Sequence, residues 1–187
     1  MSCKVAYCSG MDPKDYAVTK NLFPDAEILD YRNYAKTYEA VEKGECDYAV
    51  MPFEASLSGE NGHVLDLMFK GNLYICGTDK TMNGNEKYRY AVLTRENPAA
   101  VKEDGLFMLM FTVADKTGSL AKAINAISDN GFNMRILRSR PLGDSAWHYY
   151  FYAEGIGDDT SEAGQKMLKE LDGLCETVKI VGRYAHD

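Results

Sequence analysis

The feature that most constrains this 187-residue chain is a change of rhythm near its middle. From Lys4 to about Leu93, short wholly apolar runs alternate with helical patterns. Val5-Ala6-Tyr7-Cys8 reads as a strand, and Asp15 to Phe23 as a helix closed by Pro24. Ala26 to Leu29 reads as a strand and Asn33 to Lys43 as a helix ended by Gly44. Tyr48-Ala49-Val50-Met51 is a strand stopped by Pro52, and His63 to Phe69 a helix ended by Gly71. Leu73 to Cys76 and Tyr90 to Leu93 complete the set. Strand and helix in alternation imply βαβ units and a mostly parallel sheet, and wholly apolar strands suit a sheet covered on both faces.

Glu96-Asn97-Pro98-Ala99-Ala100 breaks the pattern and reads as a linker. Beyond it, Leu106 to Val113 is a strand, and Ser119 to Asn130 a helix with Leu120, Ile124 and Ile127 on one face. Asn130-Gly131 supplies the left-handed stop that helix ends favour. Phe132 to Leu137 and Trp147 to Ala153 are strands joined through Pro141-Leu142-Gly143-Asp144. Asp158 and Asp159 sit where a helix start favours negative charge. Met167, Leu168, Leu171 and Leu174 form that helix's inner face, and Thr177 to Gly182 is the closing strand. The order is βαββαβ, the ferredoxin-like plan. Such a domain covers one sheet face with its own helices, yet Leu106 to Phe111 is apolar at every position and Trp147 to Tyr152 is aromatic on both faces. The second face therefore calls for another surface, a partner subunit or the N-terminal domain, and a homo-oligomer is expected.

Composition narrows the function. With 21 basic and 28 acidic side chains the net charge is −7 and the pI about 5.0, which argues against nucleic acid or an anionic membrane surface as a partner. No apolar run approaches the length of a membrane span, and no signal-peptide pattern opens the chain, so a soluble cytoplasmic protein is expected. Cys3, Cys8, Cys46, Cys76 and Cys175 are odd in number and form no Cys-x-x-Cys pair, which fits buried thiols in a reducing compartment. His63, His148 and His186 show no ligand spacing, so neither a metal nor another cofactor is expected. Tyr149, Tyr150 and Tyr152 read as sheet packing, because no basic groove accompanies them.

The stretch from Ala40 to Gly59, Ala-Val-Glu-Lys-Gly-Glu-Cys-Asp-Tyr-Ala-Val-Met-Pro-Phe-Glu-Ala-Ser-Leu-Ser-Gly, closely resembles the central signature of prephenate dehydratases. Lys116-Thr117-Gly118-Ser119-Leu120 resembles the Pro-Gly-Ser-Leu turn of the ACT domain fused to those enzymes. Arg138-Ser139-Arg140-Pro141-Leu142 resembles that domain's Glu-Ser-Arg-Pro motif. The resemblance implies a periplasmic-binding-protein-like α/β lobe over residues 1–97 and an ACT domain over 104–187 that assembles as a homodimer or larger. It also implies an enzyme family that converts prephenate to phenylpyruvate, water and carbon dioxide, and that phenylalanine inhibits through the ACT domain.

The chain departs from that pattern in four places. Only Thr78 to Lys87, with an Asn83-Gly84 turn, stands where the family inserts a second lobe. Tyr88 occupies the position of the catalytic threonine in Thr-Arg-Phe, although Arg89 is retained. Glu-Asn-Ser reads Glu54-Ala55-Ser56. The first glycine loop reads Ser9-Gly10-Met11-Asp12-Pro13-Lys14-Asp15, whose Asp12 opposes a carboxylate ligand. The resemblance places catalytic remnants at Glu54, Ser56, Tyr88 and Arg89. Glu54 and Ser56 are either substrate-binding remnants or parts of a turn, and Arg89 either clamps a carboxylate or is a solvated edge arginine.

For the second domain, the resemblance implies ligand contacts from Gly118, Ser119, Leu120, Asn133, Arg138, Ser139, Arg140 and Pro141. A helix start offers free N–H groups to a carboxylate, Asn133 at a subunit boundary can donate and accept, and Arg138 stands where the family has glutamate. The competing reading is a plain helix start and strand-edge turn. The expected function is an aromatic amino-acid-binding regulatory protein of phenylalanine biosynthesis with weak or no catalysis. The alternative is an active dehydratase whose prephenate cleft is completed by oligomerisation, and a third reading makes the first lobe a docking surface.

Overall fold

The computed structural model describes residues 3–9, 12, 14–101, 105–143 and 148–185. Expectations that fall on Ser2, Gly10, Met11, Pro13, Asp144, Trp147 and His186 lie outside the described residues. The described residues up to Pro98 form one compact unit and those from Ala99 a second.

The first unit runs β1 (Lys4–Cys8), α1 (Lys14–Leu22), β2 (Glu27–Tyr31), α2 (Tyr34–Glu42), β3 (Tyr48–Ala55), β4 (Gly59–Glu60), α3 (Gly62–Lys70), β5 (Tyr74–Asn83) and β6 (Glu86–Thr94). Its strands lie in the order β2-β1-β3-β6-β5, with β4 on β3. The expected parallel arrangement holds for β1 with β2 and with β3. It fails beyond: β6 runs antiparallel to both β3 and β5, so this sheet is mixed. The cause is local. Thr78 to Lys87 extends β5 and β6 into one hairpin, closed at Asn83↔Glu86 by the two residues Gly84-Asn85. Gly84 has φ +59, the positive angle that this tight connection requires. A two-residue turn joins strands only antiparallel.

Pro52 was expected to stop β3, but the strand continues to Ala55. Its pairing with β1 ends at Val50, and a bulge at Phe53 separates Pro52↔Tyr90 from Glu54↔Arg89 on β6. A residue without an N–H is tolerated at such a bulge. Gly71 ends α3 as expected, but not through a left-handed angle, since its φ is −92. A Cβ there would lie 2.4 Å from the ring of Tyr38, whose buried hydroxyl accepts a 2.9 Å hydrogen bond from the Leu73 N–H. Gly44, with φ +79, is the left-handed stop of α2, and Asn33 caps its start by accepting from Lys36 N. Val5, Val18, Val50, Tyr90 and Val92 form a buried apolar cluster where helix meets sheet.

The second unit runs β7 (Gly105–Thr112), α4 (Ser119–Asp129), β8 (Asn133–Pro141), β9 (Tyr149–Ile156), α5 (Glu162–Leu174) and β10 (Thr177–Ala185). Its sheet order is β10-β7-β9-β8, antiparallel throughout. This is the ferredoxin-like arrangement that the βαββαβ order predicts. Phe107, Leu109 and Phe111 pack with Ala123, Ala126 and Ile127 of α4 and Met167 and Leu171 of α5. Each large side chain so buried is worth about 1.5–3 kcal/mol. Gly155 on β9 leaves room for the Phe107 ring, which would lie 2.4 Å from an added Cβ. Leu106, Met108 and Met110 on the opposite face are also buried within the single chain.

Two expectations about α5 change. Ser161 caps it, accepting from Gly164 N at 3.1 Å, while Asp158 turns back to accept from the Thr160 N–H at 2.8 Å. Asp159 does not serve the helix start. It is buried and holds Arg183 of β10 through two 2.7 Å hydrogen bonds. Leu174, expected on the inner face, is 38% exposed.

Candidate functional site

A cleft of about 260 Å³ opens in the first unit where the segment before α1, the start of α2 and the ends of β3 and β4 meet. Asp12 comes from the first of these, Lys14 and Asp15 from the first turn of α1, Tyr34 from α2, Glu54 from β3 and Glu60 from β4. Tyr88 of β6 closes one side.

The bulge at Phe53 sets Glu54 opposite Arg89 in the ladder, and their side chains pair at 2.8 Å, both largely shielded from solvent. The guanidinium also lies 4.8 Å from the Phe53 ring centroid. Arg89 is therefore paired with a carboxylate of its own chain and is not a solvated edge residue. The Tyr88 hydroxyl donates to Glu86 at 2.7 Å, and its ring carries the Lys14 ammonium at 3.3 Å. Lys14 also pairs with Asp12 at 2.7 Å. Ser56 is exposed and does not line the cleft. Its hydroxyl accepts from Lys87 N at 2.9 Å and its N–H donates to Lys87 O at 2.8 Å, which closes the end of the ladder.

Three residues that the sequence did not single out shape the site. Glu86 accepts from the Ser58 hydroxyl, Ser58 N at 2.7 Å and Leu57 N at 3.2 Å, and so anchors the turn after β3. The Ser58 hydroxyl, then Tyr88 and the backbone bonds, hold the Glu86 carboxyl down at about 2. Asp15, in the first turn of α1, is 1% exposed. Its Oδ1 accepts from the Tyr90 hydroxyl at 2.7 Å, while Oδ2 has no hydrogen-bond partner among the described residues. Burial pushes the Asp15 carboxyl up, against the Tyr90 hydrogen bond; Asp12 adds to the rise and Lys14 opposes it. Burial also pushes the Tyr34 hydroxyl up to about 12. An acid in a first helical turn reads from sequence as a dipole partner, so only the fold reveals Asp15 as a buried group. Glu60 completes the set on β4, a two-residue strand too short to leave a periodic signal.

In the second unit, register divides the expected ligand residues. Thr112 of β7 faces Tyr150 of β9, which faces Arg140 of β8. The start of α4 follows β7, so Gly118, Ser119 and Leu120 share a sheet end with Ser139, Arg140 and Pro141. Asn133 pairs with Ile156, which pairs with Leu106, at the other end. Seven residues of strand separate Asn133 from Arg140, roughly 23 Å. One chain therefore does not bring Asn133 to the others. Arg138 is exposed opposite Tyr152, and Arg140 Nε donates to the Tyr150 hydroxyl at 3.1 Å. Gly118 has φ +82 and caps α4 without a side chain, and Ser119 N donates to Lys116 O. Among the described residues no group of three or more His, Cys, Asp or Glu side chains converges as a metal would need. No described helix is long and apolar enough to cross a membrane.

An α/β lobe whose site lies at the ends of its central strands, followed by a ferredoxin-like unit, defines a class of two-part α/β protein. The comparisons narrow that class. The prephenate dehydratase family model matches residues 14–80. The bifunctional chorismate mutase/prephenate dehydratase of Aquifex aeolicus is 27% identical over 88% of this chain and 42% of its own length. This chain spans less than half the length of these curated relatives. Among solved structures, prephenate dehydratase from Streptococcus mutans is 25% identical, with TM-score 0.85 over 98% of both chains. Two others share the fold: GqqA, described as a quorum quenching acylase, at 24% identity and TM-score 0.82 over 98% of this chain and 95% of that one, and prephenate dehydratase from Arthrobacter aurescens in complex with L-Phe, at 14% and 0.83 over 98% and 90%. Residues 14–80 thus match the prephenate dehydratase family model, and nearly the whole chain is similar in sequence and fold to prephenate dehydratases.

Proposed function

We propose that this protein is an aromatic amino-acid-binding regulatory member of its family, with weak or no dehydratase activity. The observation that carries the reading is the start of α4. With a left-handed glycine as cap and Ser119 N turned to Lys116 O, the N–H groups of Leu120 and Ala121 are left directed out of the helix end, where an amino-acid carboxylate is favoured. The L-Phe complex of the Arthrobacter aurescens protein supports an amino acid as the ligand. Ser139 and Pro141 lie at the same sheet end. Asn133 would reach such a ligand from a second copy, so assembly through the second unit, an ACT domain over residues 104–187, belongs to the same reading. So does a cytoplasmic protein with no nucleic acid, membrane, metal or cofactor as partner.

The first unit, residues 1–97, supports weak catalysis. Prephenate carries two carboxylates, and the cleft presents Asp12, Asp15, Glu54 and Glu60 against Lys14. Arg89, the cation at the family's substrate position, is engaged by Glu54. The β5–β6 hairpin stands where the family inserts a second lobe, which leaves the substrate in water and weakens each electrostatic contact. A second reading, an active dehydratase with the cleft completed by another copy, draws on the TM-score of 0.85 with the Streptococcus mutans enzyme.

Two measurements on the purified chain separate them. Calorimetric titration with L-phenylalanine should give saturable heat, lost in Ser139→Trp; no heat and no thermal shift at millimolar ligand would sink the sensor reading. Phenylpyruvate formation from prephenate should stay at or near background. Ready turnover that Arg89→Ala abolishes would establish the enzyme instead.

A further inference from the structure

The cleft of the first unit has the polarity opposite to the one a dicarboxylate needs. Its carboxylates differ in their engagement: Asp12 is held by Lys14 and Glu54 by Arg89. Asp15 is 1% exposed, lines the cleft, and has Oδ2 without a partner among the described residues. A buried carboxylate oxygen left so costs free energy unless a cation or a donor meets it. Glu60 lines the same cleft and is half-buried. Among the described residues these groups do not converge as metal ligands, so they suit charges set apart on one molecule. The cleft already accommodates an ammonium, since Lys14 Nζ rests against Asp12 and over the Tyr88 ring. Its volume of about 260 Å³ equals about nine waters of the liquid, which admits a compact aliphatic ligand.

We propose that this cleft binds a small aliphatic amine, with one ammonium on Asp15 and, in a diamine, the second on Glu60. This inference is independent of amino-acid binding in the second unit. The test is calorimetric titration of the full chain, at low ionic strength, with 1,4-diaminobutane, butylamine and succinate. The diamine binds more tightly than butylamine, and succinate gives no heat. Asp15→Asn, which keeps the shape of the side chain, weakens both amines by about tenfold or more, the worth of one charge-assisted hydrogen bond. Glu60→Gln, at a half-buried position, brings the diamine down to the affinity of butylamine and leaves butylamine unchanged. Absence of heat with both amines at millimolar concentration overturns the proposal, as does succinate binding more tightly than the diamine. Amine affinity unchanged in both variants overturns it as well.

Discussion

Arg183 and Asp159 meet through two parallel 2.7 Å hydrogen bonds, with side chains only 10% and 1% exposed. Removing one member leaves a buried charge, so Arg183→Met should cost about 3–5 kcal/mol in urea unfolding. Lys36 and Lys43, both on Glu39 at the surface, make an instructive contrast, since exposed pairs contribute about 0–1 kcal/mol. Asp15 behaves differently from Asp159 because, among the described residues, no cation faces it as closely. The groups around it are Tyr90, Tyr34, Asp12 and Lys14. Its folded-state pKa lies above the unfolded one, so its favourable contribution is complete below the unfolded carboxylate range and is lost as pH rises through the folded value. Asparagine does not titrate. The stability of Asp15→Asn relative to the parent should therefore rise from pH 4 to pH 8 in chemical denaturation. A constant or falling difference would mean that Asp15 is not the desolvated group described.

The elements owe their limits to specific side chains. Ser161 supplies the cap of α5, and Ser161→Ala should cost about 1 kcal/mol in thermal or urea unfolding with the fold retained. Most element types and positions were legible in the sequence, because apolar periodicity is a local property: β1, α2, α4 and the βαββαβ order follow from it directly. The errors share a cause. Pro52 was read as a stop because a missing N–H breaks a ladder, yet β1 has already parted from β3 at that point, so no bond is lost. The hairpin was read as a bridge because Thr78 to Lys87 is polar, although polar strands form readily when each has a neighbour to pair with.

For the whole molecule, the proposed assembly predicts a sedimenting mass of at least twice 20.9 kDa, and a mass of one chain across the micromolar range would remove that part of the reading. What the sequence by itself determined is the alternating order of the first elements, the βαββαβ order of the later ones, and the likeness to prephenate dehydratases, through motifs read in short contiguous stretches. What only the tertiary structure decided is the electrostatic character of the site. Glu54 faces Arg89 because a bulge shifts register by one residue, Asp15 is buried because Tyr90 reaches it from 75 positions away, and Asn133 is parted from Ser139 by the antiparallel ladder. Periodicity records which face of an element is apolar. It holds no information about which distant charge will stand opposite, and that pairing determines what the cleft can bind.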